Sequence, residues 1–257
     1  MSKPKRFGLV LAGGASLALT HIGVFRALEE RGMKPVAIAG VSAGAIVGSL
    51  IAAGMSHEEL LDATAQVRWR RLVSPALRAP GLLRLDKMGK YVEERTGADN
   101  IEKLPLPMRI VTTDLATGRP VVHRKGRLGE TLAASCSIPG IFSPVKLDGR
   151  MHVDGGLNGN LPLGALDDFR SLDFVIASDP VTHCELNPRP DNMYKVLLQT
   201  FLISLKATTR IPSECAHPVI RIEPRLAAID PFNLKELHKM EPAGYEAAEM
   251  ALEEAGV

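Results

Sequence analysis

An α/β fold built on a mainly parallel sheet is what these 257 residues predict. Short apolar runs of strand length alternate with longer stretches of helical period from the start of the chain, and glycines stand at the changes of period. A Gly-x-Ser-x-Gly at Gly40–Gly44 falls at one such change, between an apolar strand and an apolar helix.

Phe7 to Leu11 is a first strand, closed by the turn Gly13-Gly14. Leu19, Ile22, Val24, Phe25 and Leu28 then recur at helical spacing, and Gly32 stands where that helix stops. Val36 to Ala39 reads as a second strand and Ala43 to Ala53 as a buried helix ended by Gly54. Ser56 caps the next helix, with Glu59 three residues on to complete a capping box. The opening order is therefore β-α-β-α, the pattern of parallel strands joined by helical crossovers.

From Val67 to Leu85 the periodicity fades. Trp69, Pro75, Pro80 and five arginines (Arg68, Arg70, Arg71, Arg78, Arg84) make an irregular basic insert ahead of a helix at Asp86 to Arg95. Further strands are expected at Met108–Thr113, Pro120–Arg124, Met151–Val153, Phe174–Ala177 and Val219–Ile222. Further helices are expected at Leu128–Cys136, Met193–Thr208 and Glu241–Ala255. No internal repeat, low-complexity tract or linker divides the chain, so residues 1–257 are expected to form one domain.

Composition excludes several classes of function. A formal net charge of +2 offers no bulk attraction for nucleic acid. No apolar stretch reaches the roughly 18 residues that suggest a membrane span. The basic start (Lys3, Lys5, Arg6) runs into a short strand and glycines, without the apolar core of a signal peptide. Cys136, Cys184 and Cys215 form neither a CxxC pair nor an even framework, so they read as small core or surface thiols in a reducing, cytoplasmic compartment.

The chemistry concentrates in three places. Ser42 sits at the centre of Gly40-Val41-Ser42-Ala43-Gly44, where flanking glycines remove side chains that would collide across a sharp strand-to-helix turn. The bland alternative is a plain helix N-cap. A serine hydroxyl needs a base within hydrogen-bond reach, and the best-framed candidate is Asp154, which follows the strand Met151-His152-Val153 and precedes Gly155-Gly156. An ordinary Asp-Gly turn is the competing reading there, but Asp148-Gly149 already supplies the hairpin turn between Val145–Leu147 and that strand. Third, Gly13-Gly14-Ala15 ends the first strand and opens the first helix, where successive N–H groups make an anion site. A dinucleotide loop is excluded, because Ala15 and Ala18 stand where its glycines belong and no acidic residue ends the second strand. Together these pieces point to a Ser–Asp hydrolase.

Other residues carry weaker signals. His21, His123 and His152 are each possible bases by type, with a structural role the simpler reading. Asp114 fits a structural turn residue better than a supporting carboxylate. The arginines around Trp69 suit either a solvated cap or an anionic lipid surface, and Val196-Leu197-Leu198 with Phe201, Leu202 and Leu205 suits a core-facing helix.

The three pieces, in this order, resemble the patatin-like phospholipases, in particular the small bacterial members. Phe7–Gly32 resembles the opening strand, turn and helix of that family, including His21-Ile22-Gly23-Val24. Thr113-Asp114-Leu115, Thr117-Gly118 and Val121-Val122 are similar to its middle strands. Ala134–Phe142, Asp154–Leu157 and Asn160-Leu161-Pro162 are similar to its later blocks, so the likeness covers residues 7 to about 180. It implies a three-layer α/β/α fold and hydrolysis of lipid acyl esters with no metal or organic cofactor. Ser42 would be the nucleophile, Asp154 the base, and Gly13, Gly14 and Ala15 the oxyanion hole. The chain departs from the family where Ala15, Leu17 and Ala18 replace a glycine, a basic residue and a glycine. That departure motivates an alternative, a non-catalytic lipid-binding or regulatory protein of the same fold. An acyltransferase with a related elbow would want a histidine base, for which no well-framed site exists. The expected partner is a lipid or acyl ester, with peripheral membrane contact as an accompanying expectation.

Overall fold

The computed structural model describes residues 5–76, 80–186, 189–211, 215–226 and 236–257, so Arg78 lies outside the described residues, as does the Trp69 side chain. The first half runs β1 (Phe7–Leu11), a 3-10 turn (Ala15–Leu19), α1 (Thr20–Glu30), β2 (Ala37–Val41), α2 (Ala43–Ala52), α3 (His57–Ala65), α4 (Trp69–Leu72), β3 (Ser74–Pro75), β4 (Leu83–Arg84) and α5 (Asp86–Thr96). It continues through β5 (Met108–Asp114), β6 (Pro120–His123), α6 (Leu128–Ser135), β7 (Val145–Leu147), β8 (Arg150–Asp154), β9 (Phe174–Ser178), α7 (Met193–Thr208), β10 (Val219–Ile222) and α8 (Leu237–Glu254).

Strand order is β10-β9-β1-β2-β5-β8-β7, with β6 also paired to β5. The pairs β10/β9, β9/β1, β1/β2 and β2/β5 are parallel, and β6, β7 and β8 add an antiparallel margin. The central strands are apolar on both faces, as a sheet covered on both sides requires. On β1, Leu9 and Leu11 join the larger core with helical residues such as Ile22, Leu28 and Leu50. Val10 faces the other way, into a second core with Ala39, Val111 and the segment Leu161–Leu172. The sheet thus lies between two layers, as the resemblance implies, but the second layer is thin, made by a 3-10 turn at Leu163–Leu166 and irregular chain.

Several sequence signals are realised directly. Ser56 and Glu59 exchange both bonds of the capping box. Asp148, at φ 47°, and Gly149 turn β7 into β8. α8 begins four residues ahead of the expected Glu241 and carries Pro242 inside it. The basic insert is not wholly irregular: β3 and β4 pair as a two-residue ribbon, and Leu83 bridges to Phe142. No helix among the described residues is long and apolar enough to cross a membrane.

The chain leaves β1 toward β2 and β5 on one side, while β9 and β10 add on the other. The carboxyl end of β1 is therefore a point where strand order reverses, the usual place for a crevice in an open parallel sheet. The turn Gly13–Ala15 leaves β1 at that point.

Candidate active site

Ser42 follows β2 as a sharp elbow, with φ 52° and ψ −130°, a backbone conformation sparsely populated by L-residues. The flanking glycines make the elbow sterically feasible. A Cβ on Gly40 would lie 2.7 Å from the Ala45 Cα, and one on Gly44 would lie 2.4 Å from the Ala12 carbonyl oxygen. The strain at this serine is about 1–3 kcal/mol, and the plain N-cap reading is disfavoured, since the Ser42 side chain caps nothing.

Asp154 ends β8 and is fully buried. Gly155 lets it sit there, because a Cβ at that position would come within 2.4 Å of the Val111 carbonyl oxygen. Asp154 Oδ1 accepts the Gly156 N–H at 2.9 Å, while Oδ2 is buried with no hydrogen-bond partner among the described residues. Burial pushes the carboxyl up to about 7, with the nearby Ser42 hydroxyl and the Gly156 amide pulling weakly the other way. The serine is thus close enough to act on the charge of Asp154, yet Oδ2 stands outside full hydrogen-bond geometry in this resting arrangement. Catalytic hydrogen bonds are often loose until substrate binds.

The glycine turn lies beside the serine: a Cβ on Gly13 would be 3.0 Å from Ser42 Cβ. The Gly13 N–H donates to Asn160 Oδ1 at 3.0 Å, and Asn160 Nδ2 donates to the Gly13 carbonyl at 3.3 Å and to Thr209 Oγ1 at 3.1 Å. Of the three residues expected to form an oxyanion hole, Gly13 thus has its amide engaged by Asn160. Among the described residues no acceptor meets the Gly14 or Ala15 N–H groups. Ala15 takes φ 52°, so the alanine replacing a glycine is strained by about 1–2 kcal/mol. Leu17 and Ala18 are buried in the core, and position 17 offers no place for a charge.

The histidines have other partners. His21 is buried, with Nδ1 2.7 Å from Ser178 Oγ and Nε2 2.8 Å from the Ala12 carbonyl, and burial lowers it to about 4. His123 Nε2 and His152 Nδ1 both meet Thr112 Oγ1 at 2.8 Å. Burial lowers both, His123 to about 4. Asp114 accepts from the Ala116 and Thr117 amides and pairs with Arg150 at 2.8 Å, which holds it down to about 2. It is a turn residue. Cys136, read from the sequence as a small core or surface thiol rather than a nucleophile, is buried against the Ser42 hydroxyl and the Asp154 carboxylate, and burial raises it well above the usual thiol range. Among the described residues no group of three or more His, Cys, Asp or Glu side chains gathers to hold a metal ion.

From Ser42 an apolar cavity of about 130 Å³ runs between α2, α5 and the insert, with walls that include Val47, Leu72, Met88 and Phe142. Val67 and Leu85 of the insert also line it, while Arg68, Arg70, Arg71 and Arg84 face outward. Asn160 is a side chain beside the candidate site to which the sequence alone gives no role. Its signal is a fully buried amide beside the glycine turn.

With this geometry in view, similarity to known proteins can be stated. The family model for patatin-like phospholipases matches residues 9–167. One uncharacterised NTE family protein of Mycobacterium tuberculosis is 39% identical over 64% of this chain and 46% of its own length. A second is 30% identical over 97% of this chain and 47% of its own length. The chain thus spans under half the length of these relatives. Neuropathy target esterase of Drosophila persimilis is 30% identical over 60% of this chain and 11% of its own. Among solved structures, VipD from Legionella pneumophila superposes with TM-score 0.65 at 14% identity, covering 98% of this chain and 68% of that one. The type III effector ExoU gives 0.54 at 14% identity, covering 98% and 54%. These two speak to the fold alone.

Two predictions follow from the strained and buried groups. Ala15→Gly relieves the positive φ and is expected to raise thermal stability by roughly 1 kcal/mol, a shift of a few degrees in a melting experiment. A lower melting temperature would show that the strain is not carried there. For Asp154, a folded-state pKa raised above the unfolded value means that the unfolded chain releases its proton first. Stability is then lost as pH climbs from about 4 to about 7 and is level above. Asp154→Asn is therefore expected to melt above the parent at pH 8 and to lose that advantage near pH 4. Equal margins at both pH values would refute the raised carboxyl.

Proposed function

Because this chain belongs to the patatin-like phospholipase family, we propose that its site hydrolyses lipid acyl esters by a Ser42–Asp154 dyad. One observation carries the reading: a fully buried carboxylate with a free oxygen, raised to about 7, beside a serine held in a strained elbow. A base of that pKa is partly ionised at neutral pH yet basic enough to take a proton from an attacking hydroxyl. Asp154 receives the Ser42 proton as Oγ adds to the ester carbonyl. The tetrahedral oxyanion is met by the Gly14 and Ala15 amides, each worth about 3–4 kcal/mol in the transition state. Protonated Asp154 then hands the proton to the departing alcohol, leaving an acyl-serine. Water, deprotonated by the same carboxylate, releases the acid and restores the serine.

The cavity beside Ser42 accounts for the acyl side of the substrate. Its volume is near that of cavities that hold one benzene-sized ligand, so it takes a single chain, with the rest of a longer lipid left outside. Names of relatives point the same way, one being an esterase. Ala15 keeps its N–H despite the positive φ, so the altered turn is compatible with turnover and does not by itself favour a lipid-binding protein. Peripheral contact with a lipid surface belongs to the proposal. α7 turns Met193 and Ile203 outward, 72% and 50% exposed, while the insert presents arginines.

A hydrophobic fluorophosphonate is expected to label Ser42, and Ser42→Ala to lose both labelling and turnover of a p-nitrophenyl ester. Asp154→Asn should fold and lose turnover by roughly 10²- to 10⁴-fold, the usual weight of a general base. For the parent, kcat/KM should rise with pH through about 7 and then level, because only the ionised carboxylate accepts a proton. Full activity in either variant, or a flat pH profile, would end the dyad assignment. Vesicles containing anionic lipid should carry the protein in flotation better than neutral ones; no flotation with either would remove the membrane contact and leave the hydrolase reading intact.

A further inference from the structure

The serine and the aspartate are tied to each other through three consecutive residues at the end of α6. Ser135 is fully buried, and its hydroxyl accepts the Ser42 N–H at 2.9 Å while donating to the Val111 carbonyl of β5 at 2.7 Å. Two residues on, the Ser137 carbonyl accepts the Asp154 N–H at 3.0 Å. The Ser137 hydroxyl in turn is shared between the carbonyls of Ala133 and Ser143, at 2.7 and 3.0 Å, which fixes the turn that carries it. Cys136 lies between, against the Ser42 hydroxyl.

This arrangement answers a question the elbow raises. A residue at φ 52° and ψ −130° relaxes unless its surroundings over-determine it. β2 fixes the chain before Ser42 and α2 fixes it after, but the Ser42 amide points at neither: its acceptor is Ser135, reached across 93 residues of sequence. The bond also removes the Ser42 amide from the pool of oxyanion donors. We propose that Ser135 is a positioning residue, whose hydroxyl holds the strained elbow so that Ser42 Oγ faces Asp154. The single segment 135–137 then sets the separation of the two. Val111 shares in this, since its carbonyl is the fixed point on which the Ser135 hydroxyl is oriented. The inference rests on the reading of Ser42 as nucleophile and Asp154 as base.

Ser49 provides the control. It is equally buried, and its hydroxyl donates only within α2, to the Ala45 carbonyl at 2.8 Å. Removing either hydroxyl deletes a buried polar group of the same kind, and only Ser135 touches the elbow. Ser135→Ala is expected to lower kcat and the fluorophosphonate labelling rate in parallel, by roughly 10- to 100-fold, with KM little changed, as misplacement of a reacting group does. Ser135→Thr, which keeps the hydroxyl, should recover a large part of both. Ser49→Ala should lose thermal stability without losing kcat. If the alanine variant does not fold, Ser135→Cys keeps the volume while weakening both bonds, and the same paired loss is expected from it. Wild-type labelling and kcat in folded Ser135→Ala, or an equal loss in Ser49→Ala, would overturn the positioning role. Turnover surviving in Ser42→Ala would instead overturn the reading beneath it.

Discussion

Water is kept away from one carboxylate, and most of what is distinctive in this structure depends on that. In solvent, an aspartate ionises near the bottom of the titration range and is a poor base for a hydroxyl. Enclosed at the end of β8, with a single amide on Oδ1 and no hydrogen-bond partner on Oδ2 among the described residues, the Asp154 carboxyl rises to about 7. A second amide on Oδ2 would satisfy the group and return it to its usual range, at the expense of its use as a base. Asp114 shows that outcome within the same sheet: two amides and an arginine hold it near 2, where it can only organise a turn. Two aspartates on adjacent antiparallel strands thus titrate far apart, Asp154 raised by its burial and Asp114 held down by its arginine and amides.

The fold delivers the rest by geometry. β1, β2 and β5 lie side by side, so the turn after β1 and the elbow after β2 emerge next to each other at the carboxyl edge. β8 runs antiparallel against β5 and brings Asp154 opposite Thr112. Glycines at 40, 44 and 155 allow backbones to approach where any Cβ would strike main-chain atoms. The buried His21 and Asn160 work on the same turn from two directions, His21 at the Ala12 carbonyl and Asn160 at both polar groups of Gly13. Each polar group pinned in this way leaves fewer conformations for the two amides that stay free.

Much of this was legible in the residues, and the limits of legibility have physical causes. β1 could be read to the residue because a strand buried on both faces is an unbroken apolar run ended by glycine. The β7–β8 hairpin and the α3 capping box are local chemistry, complete within a few residues. Ser42 and Asp154 stood out through their glycine neighbours. The spent amide of Gly13 did not, because the Asn160 that takes it lies 147 residues away. Ser135 was visible only as part of a family-like block, since a buried hydroxyl has no local pattern to announce its partner. The ribbon in the basic insert escaped for a similar reason. The apolar residues of the surrounding insert, Val67, Leu72 and Leu85, line the cavity and follow neither the period of a helix nor that of a strand.

Magnitudes suggest why so much rigid scaffolding surrounds so small a site. The elbow at Ser42 and the turn at Ala15 each hold an L-residue at φ 52°, for a combined strain of about 2–5 kcal/mol. The buried carboxylate adds a further penalty at neutral pH. Against a domain stability of about 5–15 kcal/mol, these terms are not a small correction. They persist because relaxing them would break something dearer. Straightening the elbow strands the Ser42 amide away from water, and letting solvent reach Asp154 exposes the buried Cys136 beside it. A buried network of this kind has few intermediate states: it is either satisfied throughout or disrupted at several places together. That all-or-none character, more than the presence of any one residue, is what a chain of this length secures by placing the site at the edge of a sheet buried on both faces.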